Sequence, residues 1–367
     1  MEAAKAWRFT TRGPPRDVLR IESIPCPSLP PAVKTPKEYQ HQPWVLIKVS
    51  HAALNPGGSY FIAIFPAFSR AKTAIPEIEF SGEVLEIWMP SDSQSAGLHI
   101  QKGDLVAGMI PTALTAAGIG ALATHLAIPA ELVVKLPHGV PVRDAAGITV
   151  AGMTALRMAR DAGMQPGHRV LVNGASGGVG TMAVQVARDI VGKKGVVVAV
   201  CSGRNAKMVR ELGADEVIDY TILSNLADEL SRRFATQQFD CVLDCVGIPD
   251  LYNASAAFLI PGKPYVATIV KPQAMSLPSF ALAVGKMVCN MVWPTSRWLG
   301  GVGRKWKTVY MMDATRNERE ELLKMVAEGK LRVVVDSVWR FEEVLGGYDI
   351  LWSGRARGKV IVMMDGE

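Results

Sequence analysis

The stretch Val170-Leu-Val-Asn-Gly-Ala-Ser-Gly-Gly-Val-Gly180 decides the fold. Apolar residues run into Gly174, Gly177, Gly178 and Gly180, and Thr181-Met-Ala-Val-Gln-Val-Ala-Arg188 continues with small and apolar residues at helical spacing. The pattern predicts a buried strand, a tight turn and a helix start. Such a turn aims unpaired backbone N–H groups and the positive end of the helix dipole at an anion. Between a strand and a helix, that anion is expected to be a dinucleotide pyrophosphate. Glycine serves because a β-carbon would hinder positive φ angles or the close approach of a phosphate. Gly174, Ser176, Gly177, Gly178, Val179 and Gly180 are therefore the expected contacts. The competing reading is a strand–helix turn that only packs.

The next strand and its turn select the dinucleotide. Gly195-Val-Val-Val-Ala-Val200 reads as a second buried strand, and Cys201-Ser-Gly-Arg-Asn-Ala-Lys207 comes after it. An NAD site usually places an acid near this strand end to hold the ribose 2′-hydroxyl. None stands there. Ser202, Arg204, Asn205 and Lys207 instead offer the donors a 2′-phosphate needs, so the expected cofactor is NADPH. A solvated turn carrying two surface cations is the plainer alternative.

The chain has 367 residues, enough for two domains, with 49% hydrophobic and 20% charged residues, as in ordinary globular proteins. A formal charge of +6 suits an anionic ligand, but the cations are dispersed and no basic block interleaved with aromatics suggests nucleic acid. Cys26, Cys201, Cys241, Cys245 and Cys289 are odd in number and mostly in apolar context, the pattern of reduced core cysteines. The first residues, Met1-Glu-Ala-Ala-Lys-Ala-Trp-Arg8, carry no apolar signal core, and the expected compartment is the cytoplasm.

Up to about Val134 the chain shows short strands and Gly/Pro turns, predicting a mainly antiparallel β unit; Pro25–Pro43 reads as a proline-rich surface loop. Beyond Leu136 helices and strands alternate, predicting an α/β unit with a doubly wound parallel sheet. Its expected last strand is Lys307–Met311, and Ile222–Phe234 and Arg316–Lys330 are expected helices.

The order of parts resembles the medium-chain dehydrogenase/reductases, and within them the zinc-independent quinone-oxidoreductase group. The resemblance rests on Ala53-Leu-Asn-Pro56, Gly103-Asp-Leu-Val106, Ala151-Gly-Met-Thr-Ala155, the glycine loop, Leu212-Gly-Ala-Asp-Glu-Val-Ile-Asp-Tyr220, Leu243-Asp-Cys-Val-Gly247 and Ser353-Gly-Arg-Ala-Arg-Gly-Lys-Val360. It implies a GroES-like β domain built from residues 1–136 and 314–367, a Rossmann domain over 137–313, and a cleft where cofactor and substrate meet. It also implies roles: Asn55 and Thr154 beside the nicotinamide, Tyr220 by the adenosine ribose-phosphate, Val246 and Gly247 at the nicotinamide ribose, and Val270 near the carboxamide. Each has an ordinary structural reading beside it.

A catalytic zinc needs three converging Cys, His or acid ligands, and a structural zinc usually needs four cysteines. Ala52–Gly58 holds no Cys or His, no four-cysteine lobe exists, and Glu79 lacks partner ligands in the sequence, so no metal is expected. The chemistry then expected is hydride addition to an activated acceptor: an enone, a quinone or an unsaturated thioester. A trans-acting enoyl reductase of polyketide-like intermediates is one alternative, and a cofactor-binding or membrane-associated protein with little turnover is another. Phe65 and Phe68 fall near where the resemblance to enoyl reductases implies a tyrosine acid. Tyr60 is the only phenol nearby, packing is the plainer reading of it, and Tyr60–Phe68 reads as a hydrophobic substrate wall. The segment Ser276–Lys307, rich in Met, Trp, Lys and Arg, reads as a lid or subunit interface in a monomer or homodimer, with membrane contact as the lesser alternative.

Overall fold

The computed structural model describes residues 3–31, 35–90, 98, 100–309 and 314–364. The chain divides into two units, Met1–Val150 with Met312–Glu367, and Ala151–Met311.

The second unit is a six-stranded parallel sheet. Its strands lie in the order Glu216–Asp219, Val196–Cys201, Arg169–Asn173, Cys241–Asp244, Pro264–Ala267 and Lys305–Thr308. Numbered by their place in the chain they run 3-2-1-4-5-6, the doubly wound order that leaves a crevice where strand one meets strand four. Asn173 and Asp244, register partners, stand at that point. The central strands are buried on both faces, which is why Val170-Leu-Val and Val197-Val-Ala-Val lack polar alternation. The helices Ala151–Asp161 and Gly178–Val191 pack against each other beside the sheet.

The first unit carries a seven-stranded, mainly antiparallel sheet. Lys359–Met363 pairs antiparallel with the far half of Trp44–Leu54, so the two ends of the chain close one sheet. Its boundary falls after Val150, later than the position 136 expected from the change of texture. Hydrogen bonds explain the shift. Ser81 Oγ donates to the Val142 carbonyl, Thr149 Oγ1 to the Gly108 carbonyl, and the Val150 N–H to Glu79, tying 137–150 to the β unit.

Three expected elements move. The last parallel strand lies at Lys305–Thr308, with positions 310 and 311 outside the described residues. The helix expected from Ile222 starts at Leu226, because Asn225 caps it and Asp219 folds the preceding residues into a turn through Thr221. The helix from Arg316 ends at Ala327, its start closed by a capping box between Thr315 and Glu318.

Candidate functional site

The glycines after Arg169–Asn173 divide their work. Gly174 takes φ +75°, a turn conformation a side chain would strain. A β-carbon on Gly180 would lie 2.0 Å from the Gly174 carbonyl oxygen, so Gly180 lets the helix sit on its own loop. Gly177, which caps Gly178–Val191, has only that oxygen at 3.5 Å. Protein packing does not demand glycine there, and the space it leaves is the kind a phosphate cradle requires. Val179 is half-buried beside it.

The turn after Val196–Cys201 is linked to this loop. Asn205, buried, donates from Nδ2 to Ser176 Oγ at 3.0 Å and to Ser202 Oγ at 3.2 Å. Its amide thereby aligns two hydroxyls, a role different from the direct phosphate donor expected of it. Arg204 and Lys207 are exposed on the same turn. A carboxylate that sequence reading passes over lies close by: Asp219, at the end of the neighbouring strand. It accepts from the Thr221 N–H at 2.9 Å, from Thr221 Oγ1 at 2.6 Å and from the Gly203 N–H. Those donors, the Thr221 hydroxyl first, hold Asp219 below the usual carboxylate range. Three of its acceptor positions are taken, so it is poorly placed to receive ribose hydroxyls. Tyr220 comes next in the chain, about half exposed.

Across the crevice Asp244 organises the next loop. This fully buried carboxylate accepts from Asn173 Nδ2, Tyr265 Oη and the N–H groups of Val246, Gly247 and Ile248. Burial, with the Asp244 charge and hydrogen bond, raises the Tyr265 phenol. Gly247 has φ +78°, and a β-carbon there would meet the Ile269 carbonyl oxygen at 1.5 Å. Val246 is half-buried, whereas Val270 is 2% exposed and packs in the core with Tyr265 and Trp306. The Val270 side chain is thus taken up by packing, unlike the ligand-facing position the resemblance implies. Thr154 is buried within Ala151–Asp161.

In the first unit Asn55 sits at the centre of a buried charge network. It precedes the helix Pro56–Ala63 and is held on three sides. Its N–H donates to Glu77 at 3.0 Å, its Nδ2 to Glu79 at 3.2 Å, and its Oδ1 accepts from Lys359 Nζ at 2.7 Å. An ammonium against Oδ1 fixes which way the amide points. Lys359 also pairs with Glu79 at 2.9 Å, and both side chains are almost fully buried. Glu77 has φ +66° and accepts from Tyr348 Oη at 2.8 Å. A β-carbon on Gly58 would strike its carboxyl, so the second glycine of Asn55-Pro-Gly-Gly58 makes the room. One ammonium cannot balance two buried carboxylates. Burial pushes Glu77 up to about 8, against the hydrogen bonds from Tyr348 and Asn55 and the charge of Lys359.

The run Tyr60–Phe68 is not one wall. Phe61, Ile62 and Ile64 are buried in the β unit, with Phe61 edge-on to Phe9. Tyr60 and Phe65 are half-buried, and Phe68 is 91% exposed. The helix ends at Ala63, and Phe65 and Phe68 lie beyond it, so an apolar composition that suggests one surface spans three environments. Burial raises the Tyr60 phenol, making it a weaker acid.

Sequence reading misses Glu77, Tyr348, Lys359 and Asp244. The available signals are a lysine heading the apolar strand Lys359–Met363 and an acid set between Pro76 and Ile78.

The family described as zinc-binding dehydrogenase matches residues 212–362. The residues do not suit that metal. Among the described residues no three His, Cys, Asp or Glu side chains gather closely enough to hold an ion. Glu79 is already engaged by Lys359, Asn55 and the Val150 N–H. Cys241 Sγ has His168 Nδ1 at 3.7 Å, but among the described residues no third ligand joins them.

The chain is 32% identical to the medium chain reductase pydE of an Acremonium species, over 98% of both chains. It is 31% identical to the trans-enoyl reductase poxH of Penicillium oxalicum, over 99% of this chain and 98% of that one. Its fold is similar to that of a mycobacterial protein solved with NADPH, at a TM-score of 0.75 and 22% identity, covering 98% of this chain and 100% of the other.

Proposed function

We propose, for a chain that belongs to the medium-chain dehydrogenase/reductase superfamily and is an oxidoreductase of its quinone- and enoyl-reductase-like group, that NADPH is the cofactor and an activated C=C bond or quinone of a hydrophobic compound is the acceptor. The observation that carries the cofactor is the pairing of the Gly174–Gly180 loop with the Ser202–Lys207 turn through Asn205. The loop offers helix N–H groups and the open space at Gly177 to a pyrophosphate. The turn offers Ser202, Arg204 and Lys207 to a 2′-phosphate. Asp244 shapes Cys245–Ile248, the loop suited to the nicotinamide ribose.

When bound, NADPH supplies a hydride, which reduces the β-carbon of a conjugated acceptor while a proton completes the α-carbon or oxygen. Asn55 spends both Nδ2 hydrogens on the Ala53 carbonyl and Glu79 and receives Lys359 on Oδ1, so its side chain acts as a fixed strut of this network and has no hydrogen to give a ligand. Among the two acceptor types, trans-acting reduction of an enoyl thioester is the reading favoured by poxH, a trans-enoyl reductase at 31% identity.

Arg204→Ala tests the cofactor argument. Loss of one charge-assisted contact should weaken NADPH binding by roughly tenfold to a hundredfold and leave NADH binding unchanged. Fluorescence titration with both cofactors reads this directly, and unchanged NADPH affinity would sink the 2′-phosphate assignment.

A further inference from the structure

From Leu251 to position 312 the sequence contains no aspartate or glutamate, while Lys263, Lys271, Lys286, Arg297, Arg304, Lys305 and Lys307 fall within it. The helix Leu277–Val292 lies in this stretch, started by Ser276 accepting from the Ser279 N–H. One stripe faces inward: Ala283 is buried, and Met287 packs against the core that holds Tyr265 and Trp306. Its other side is equally apolar and open. Leu282 is 57% exposed, Val292 74% and Trp298 90%. Val288, Met291, Trp293 and Leu299 are exposed along the same run.

An apolar surface this continuous marks a contact site. Charge selects its occupant. A second copy in a two-fold contact would set this surface against itself. Lys286, Arg297 and Lys305, all exposed, would then double the positive charge in the contact with no acid in the segment to offset it, which opposes association. Lipid headgroups of negative charge satisfy both features at once. Apolar side chains enter the boundary between headgroups and acyl chains, tryptophan favours that boundary, and each nearby Lys or Arg adds attraction. Among the described residues no helix is long and apolar enough to cross a membrane, so the contact is one of lying on the surface.

We propose that Leu277–Val292 and the adjoining Trp293–Leu299 segment dock this protein onto an anionic membrane surface. Flotation of the full chain with vesicles of phosphatidylcholine alone, or with about a third phosphatidylserine, tests it. The protein should rise with the anionic vesicles, stay behind with the neutral ones, and be released by high salt. The double variant Val292→Ser/Trp298→Ser removes two side chains that stand in solvent. It should lose about tenfold in partition while keeping its melting temperature and NADPH affinity. Failure to float with anionic vesicles, equal flotation on both kinds, or a variant that floats like the parent would overturn the proposal. So would a parent dimer, seen by light scattering, that the same variant converts to monomer, since a second copy would then cover the face.

Discussion

Gly180→Ala should abolish measurable cofactor binding and lower stability, whereas Gly177→Ala should weaken the cofactor and leave folding almost untouched. The contrast comes from the atoms each new β-carbon meets. At Gly180 it would stand 2.0 Å from the Gly174 carbonyl oxygen and 2.7 Å from Ala175 Cα, both backbone atoms that no rotamer change can move aside. The helix must lift or the loop must open, at about 1–3 kcal/mol or more for a forced repacking. Either response displaces the N–H groups the loop presents. At Gly177 the nearest atom is 3.5 Å away and φ is −82°, which alanine accepts. Its methyl group enters the space left for a phosphate. Thermal unfolding and NADPH titration on the two variants should separate: a stability loss confined to Gly180→Ala, and an affinity loss of about tenfold or more in both. Normal NADPH affinity in Gly177→Ala would mean that the phosphate lies elsewhere.

The second large effect is a dependence of stability on pH that originates at Glu77. Burial raises this carboxyl from 4.5 to about 8, so the folded protein holds a proton that the unfolded chain releases at lower pH. The favourable contribution is therefore complete below the unfolded value near 4.5 and is lost as pH rises through about 8. Across that window the loss is several kcal/mol, at about 1.4 kcal/mol per pH unit. Tyr348, Glu79 and Lys359 face the same carboxyl, and Lys359 moderates the effect. Glu77→Gln keeps the shape and the φ of +66°, so backbone strain cancels in the comparison. It can set its oxygen on the Asn55 N–H and its NH2 on the Tyr348 hydroxyl, which accepts as well as donates. Urea unfolding from pH 5 to pH 9 should show the parent losing stability relative to Glu77→Gln. Parallel curves would place the titration elsewhere.

These two sites show what a sequence carries and what it hides. The glycine loop is legible because strand, turn and helix are contiguous and their periodicities change over a few residues. The cationic turn is legible for the same reason. The Asn55 network is not. Glu77 meets Tyr348 across 271 positions and Lys359 meets Glu79 across 280, so no local pattern records either pair. Asn55 itself stands out beside Pro56, but its partners do not. Asp244 is visible only as one residue of Leu243-Asp-Cys-Val-Gly247, because an acid at a strand end gives no sign of the five donors it will gather. The segment after Ser276 is legible in composition alone. Which of its apolar residues turn outward depends on the stripe that Ala283 and Met287 bury.

Hydride transfer from NADPH to a conjugated acceptor is tested most directly with NADPH deuterated at C4, each face prepared separately, offered with an enoyl thioester, an enone and a quinone. With one face of the cofactor and a carbon acceptor, the reduced product should carry one deuterium at the β-carbon, with one NADPH consumed per acceptor. Tight NADPH binding with no deuterium in any product and no quinone reduction would contradict it, leaving a protein that holds the cofactor without using it on these acceptors.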